Sequence, residues 1–111
     1  MALLGIIKNF NASHGTKKHE HNFKVELTLK GPVEGDMVKS IDFHEVKKIL
    51  EEELQKSDGK YLNEFLNIRA TVENIAIYLL MKLRKRKIEN LYSIKIFEEF
   101  DRYIEIFDEE I

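Results

Sequence analysis

The stretch from His19 to Lys30 alternates strictly in character. His19, His21, Phe23, Val25, Leu27 and Leu29 share one parity, and Glu20, Asn22, Lys24, Glu26, Thr28 and Lys30 share the other. Successive side chains of a strand point to opposite faces, so this pattern specifies a long strand with one buried face and one wet face. Such a strand needs partners along its edges and a layer over its apolar side.

The rest of the sequence supplies both. Residues 2–13, apolar and partly β-branched, read as a second strand, joined to the first through His14-Gly15-Thr16-Lys17-Lys18. Gly31, Pro32, Gly35 and Asp36 mark a loop. A helix is expected from Asp42, with Glu45 three residues on as in a capping box. Phe43, Val46, Ile49, Leu50 and Leu54 recur at helical spacing, and Ser57-Asp58-Gly59 closes the segment. A second helix is expected after Thr71 as N-cap, with Val72, Ile75, Ala76, Leu79, Leu80 and Leu83 as its buried stripe. Alternation returns in 91–98, where Tyr92, Ile94, Ile96 and Glu98 share a parity, and again in 101–107, after a turn at Glu99-Phe100. The order ββααββ predicts an α+β fold, an antiparallel four-stranded sheet with two helices on one face, and one domain over residues 1–111. The other face would carry Lys24, Glu26, Thr28, Ser93 and Lys95. Closing several such sheets into an oligomeric barrel would remove the open edges and give that polar face a wet lumen.

Composition narrows the function classes. The formal net charge of -2 gives no bulk attraction to nucleic acid or anionic membranes. The basic run Lys82 to Lys87 reads as cations at a helix C-terminus, where the helix dipole favours them. The sequence contains no cysteine, which removes disulfides, thiolate ligands and cysteine nucleophiles. The opening MALLGIIKNF lacks the basic flank and the small-residue cleavage site of a secretory leader, and no apolar run is long enough to span a bilayer. A cytoplasmic protein is expected, with no nucleic-acid or membrane partner.

His19 and His21, two apart on a strand, project from one face, and His14 stands just across the connection. Three neutral imidazoles there can hold zinc and leave a fourth position open, as catalytic zinc sites do. Spacing alone leaves zinc ligation and ordinary surface exposure equally open. Three of the four histidines lying within eight residues tilts the balance to metal. His44, in the first turn of the first helix, reads as a surface residue. Glu98, at the end of an alternating row, reads from the pattern as a solvated strand end in preference to a group facing a pocket.

The series of short motifs resembles one family. Phe10-Asn11-Ala12-Ser13-His14, followed by His19-Glu20-His21, is similar to the F-x-A-x-H and H-G-H signature of the 6-pyruvoyl-tetrahydropterin synthase and 6-carboxytetrahydropterin synthase family. Gly35-Asp36-Met37-Val38 with Asp42-Phe43, Ser57-Asp58-Gly59 with Leu62-Asn63, and Thr71, Glu73, Asn74 and Ala76 resemble later motifs in the right order. Glu98 resembles the glutamate of the final V-x-E motif. The resemblance implies the tunnelling fold, with three subunits closing a barrel, commonly a second trimer stacked on it, and active sites between subunits. It implies zinc on His14, His19 and His21, and a pterin ring anchored by Glu98 with Thr71 beside it. A carboxylate suits the ring's adjacent amino and N–H donors, which it can accept in bidentate fashion.

The sequence departs from the family pattern where protons move. No cysteine stands between His14 and His19, Gly59 replaces the relay histidine, Glu20 replaces the glycine of H-G-H, and Ala70 replaces the proline before Thr71. Asp58 remains as the candidate catalytic acid or base, with Lys17 and Lys18 as substitutes and Glu20 pointing away from the metal face. The resulting expectation is a zinc-dependent carbon–oxygen or carbon–carbon lyase acting on a reduced pterin, dihydroneopterin or its triphosphate, and assembled as a trimer or hexamer. The alternative is a catalytically silent homologue that binds a pterin or a metal.

Overall fold

The computed structural model describes residues 1–38 and 41–111. In chain order the elements are β1 (Ala2–His14), β2 (His19–Gly31), β3 (Val33–Glu34), β4 (Met37–Val38), α1 (Phe43–Ser57), α2 (Leu62–Phe65), α3 (Val72–Lys85), β5 (Leu91–Glu99) and β6 (Arg102–Phe107). β1, β2, β5 and β6 form one antiparallel sheet in the order β1-β2-β5-β6. The α+β architecture expected from the sequence is the one observed.

The alternation of β2 does what its period requires. Phe23, Val25, Leu27 and Leu29 are fully buried and face α1 and α3, while Lys24 and Glu26 stay half-buried on the opposite face. Ile94 and Ile96 of β5 and Leu50, Leu79, Leu80 and Leu83 of the helices complete the core. Burying each such side chain stabilises the fold by about 1.5–3 kcal/mol, so this layer positions everything attached to it. Both long helices start at side-chain caps. Asp42 accepts from the Glu45 backbone N–H at 3.1 Å, and Thr71 accepts from that of Asn74 at 3.1 Å.

Several details differ from the sequence reading. The glycine-rich loop holds a small hairpin, β3 with β4, turning at Gly35 with φ 66°. The short helix α2 had no periodic signal, being a single turn. Phe43, assigned to the buried stripe of α1, is 39% exposed at the first residue of the helix. Tyr92 does not share the face of Ile94. The register steps from Thr28↔Ser93 to Leu29↔Leu91, so Tyr92 is the extra residue of a bulge. The final turn lies at Phe100-Asp101, one residue later than expected.

The sheet face away from the helices is not uniformly polar. Its centre carries the expected Lys24, Glu26, Thr28, Ser93 and Lys95, with Ser93 Oγ donating to Glu105 at 2.7 Å. Its flanks carry Leu3 and Ile7 on β1 and Tyr103 on β6, each more than half exposed. Among the described residues no helix is long and apolar enough to cross a membrane.

Candidate metal centre

The apolar row of the sheet ends in histidine. The Phe10 and Phe23 rings stack at 5.2 Å, and the rings of His14 and His21 stand 5.4 and 5.6 Å from Phe23. Cross-strand pairing sets His14 directly opposite His19, and Ala12 opposite His21. The three sequence-predicted ligands therefore meet at one corner of the sheet, with ring centroids 4.6–5.1 Å apart.

Two of the rings are oriented by backbone carbonyls. His14 Nδ1 lies 2.7 Å from the Ala70 carbonyl, at the approach to α3, and His19 Nδ1 lies 2.8 Å from the Lys17 carbonyl. A carbonyl only accepts, so the Nδ1 facing it carries the hydrogen; in neutral His19 this leaves the Nε2 lone pair turned inward, while His14 Nε2 lies at hydrogen-bond distance, 3.1 Å, from Glu98 Oε1. Metal-bound histidines are commonly oriented this way by a second partner. His21 Nε2 is shut off from solvent and makes no hydrogen bond among the described residues. A buried nitrogen without a donor or acceptor suits a metal ligand.

Glu98 joins the cluster. Its Oε1 lies 3.1 Å from His14 Nε2, 3.8 Å from His19 Nε2 and 2.9 Å from His21 Nε2. One ligand atom from each of His14, His19, His21 and Glu98 falls within 4.8 Å of all the others, a set that can hold a metal ion. A bulge sets this placement. β5 pairs Phe97 with Tyr103 but Glu99 with Arg102, leaving Glu98 as the unopposed residue. Bulges re-aim side chains in this way.

The hairpin between His14 and His19 has little slack. Gly15 has φ 95°, and a Cβ added there would stand 2.7 Å from His19 Cε1. Its N–H donates to Asn63 Oδ1 at 2.8 Å, and its carbonyl accepts from the Tyr61 hydroxyl at 2.8 Å. A cavity of about 520 Å³ opens beside this hairpin, bordered by His14, His19, Lys17, Asn63, Arg69 and Thr71. A smaller one of about 150 Å³, bordered by Glu98, Val72, Glu73 and Arg102, lies on the Glu98 side.

The remaining sequence candidates are spread out. Thr71 caps α3 and borders the larger cavity. Asp58 is exposed at the end of α1, and its Oδ1 accepts from the Asn11 backbone N–H at 2.8 Å. It is one residue from Gly59, which shares a third cavity of about 240 Å³ with His21. Lys17 is exposed, and Lys18 Nζ stands 5.3 Å over the Tyr61 ring. Glu20 is exposed, and His44 is exposed as expected. Sequence reasoning assigned no role to the Ala70 carbonyl, Tyr61 or Asn63. Leu62-Asn63 was visible as part of a motif, but a backbone carbonyl leaves no trace in side-chain pattern.

Comparisons with known proteins agree with one another. The family model for 6-pyruvoyl tetrahydropterin synthase matches residues 6–109. A protein of Archaeoglobus fulgidus, provisionally named 6-carboxy-5,6,7,8-tetrahydropterin synthase, is 37% identical over 112 residues, covering 94% of each chain. The 6-pyruvoyl tetrahydrobiopterin synthase of Homo sapiens is 30% identical, covering 83% of this chain and 68% of the human one. The structure of 6-pyruvoyl tetrahydropterin synthase from Caenorhabditis elegans superposes with a TM-score of 0.83 at 22% identity, covering 96% of this chain and 94% of that one.

Proposed function

The chain belongs to the 6-pyruvoyl tetrahydropterin synthase family, and from that membership we propose that it is a zinc-dependent lyase acting on a reduced pterin, dihydroneopterin or its triphosphate. The observation that carries the reading is the convergence of three histidine nitrogens and a carboxylate beside two open cavities. His14, His19 and His21 would hold zinc, whose bond lengths and preference for nitrogen ligands suit three Nε2 atoms with one position left open. Zinc bound there supplies a Lewis acid for an oxygen of the pterin side chain.

The protein groups then divide the work. Glu98 accepts the ring's amino and N–H hydrogens, which fixes the ring beside the metal. Thr71 Oγ1 already accepts from the Asn74 N–H, so its own hydrogen is left to donate to a substrate oxygen. Asp58 is the proposed proton carrier. In a single protomer its carboxylate holds the edge of β1, so proton transfer at the metal calls for a second copy bringing its own Asp58, or for the group to leave Asn11.

Assembly is part of the proposal. The β1 edge near His14 is covered by its own chain, since Gly59 N–H donates to Asn11 O, Ser13 N–H donates to Lys60 O, and Ser13 bridges to Tyr61. Among the described residues, the rest of β1 and the outer edge of β6 have no partner strand in the protomer. Pairing these edges between copies would close a trimer, or a hexamer of two such rings.

The test is product analysis after incubating the zinc-loaded protein with dihydroneopterin triphosphate and dihydroneopterin. Conversion of either supports the enzyme. Failure to convert either one contradicts it. The engagement of Asp58 by Asn11 favours a second reading, a silent pterin-binding homologue, for which fluorescence titration would find binding without conversion.

A further inference from the structure

We infer that Glu98 is a fourth ligand of the metal, released from it when a pterin ring claims the same carboxylate. This rests on the zinc reading above and goes beyond the anchoring role that the family resemblance gives this residue.

The carbonyls of Ala70 and Lys17 take the Nδ1 hydrogens of His14 and His19, which directs both Nε2 atoms at Glu98 Oε1, that of His14 at hydrogen-bond distance, 3.1 Å. His21 Nε2 comes within 2.9 Å of the same oxygen yet forms no hydrogen bond with it. Four potential ligand atoms, one from each residue, converge within 4.8 Å of one another. A single divalent ion satisfies all four.

The spacing agrees. A tetrahedral zinc with bonds of about 2.0–2.1 Å keeps its ligands about 3.3–3.4 Å apart. Glu98 Oε1 stands 2.9, 3.1 and 3.8 Å from the three nitrogens, values that bracket that edge length. The carboxylate is accessible for exchange, being 26% exposed at a bulge and bordering the 150 Å³ cavity on its other side. A ring seated in that cavity would draw the carboxylate off the ion. The open position needed by the substrate oxygen would then appear only when the ring is in place.

The test measures zinc affinity by chelator competition for the full chain, Glu98→Gln and Glu98→Ala. Removing even an indirect partner of a metal ligand typically weakens binding about 10–100-fold, so both variants should bind zinc at least about tenfold more weakly. The cobalt-substituted protein should show a visible d–d spectrum that changes in both variants. Adding 6-methylpterin, which has no side-chain oxygen, should shift the unmodified protein's spectrum toward that of Glu98→Gln. Circular dichroism checks that the variants are folded. Zinc affinity and cobalt spectra unchanged in both variants would overturn the inference while leaving the three-histidine site standing. No zinc binding by the unmodified chain would instead overturn the reading on which it rests.

Discussion

Gly15 shows how tightly single residues are constrained around the cluster. It joins His14 to the hairpin, has φ 95°, and leaves no room for a Cβ beside the His19 ring. Gly15→Ala should destabilise the protein by about 1–3 kcal/mol through backbone strain. It should also weaken zinc binding, because the ring must move to admit the methyl group. Chemical denaturation and chelator competition measure the two effects, and a variant that binds zinc as tightly as the unmodified chain would contradict this account of the hairpin. The three histidines were legible in the sequence because strand parity fixes the face of a side chain. Glu98 was legible as a residue on the helix-side face, but not as a member of the histidine cluster. Its position depends on the bulge opposite Tyr103 and Arg102, which is a property of pairing and not of composition.

At the scale of elements, the helices matter to the site mainly through where they begin. The Ala70 carbonyl that orients His14 precedes the N-cap of α3, so a loose helix start would release that ring. Thr71→Ala should cost about 1 kcal/mol of stability, the usual effect of losing a side-chain cap, whereas Thr71→Ser should be nearly neutral. Urea unfolding distinguishes them, and equal stability of the two variants would show that the cap is unimportant. Both caps and both long helices were readable from Asp42, Thr71 and the spacing of apolar residues. The single turn α2 and the hairpin β3–β4 were not, since elements of four and two residues are too short to display a period. The misassigned Phe43 has the right spacing but stands exposed at the first residue of α1, where spacing alone does not report burial.

For the molecule as a whole, the sheet leaves most of β1 and the outer edge of β6 without a partner strand among the described residues, and exposes Leu3, Ile7 and Tyr103 beside them. Apolar flanks around a polar centre are what a closed ring of sheets would bury at its seams. The sequence pattern gave the polar centre correctly and missed the flanks, because odd positions of β1 look like a mixed surface until the register aligns them. Sedimentation at micromolar concentration should find a trimer or hexamer, and a stable monomer would refute closure. The central claim is narrower than assembly: His14, His19 and His21 together hold a zinc ion. Elemental analysis of the purified protein, counted per chain, tests it most directly. The account predicts about one zinc per chain, lost in His19→Ala with the fold retained by circular dichroism. Full zinc content in a variant lacking all three histidines would contradict it.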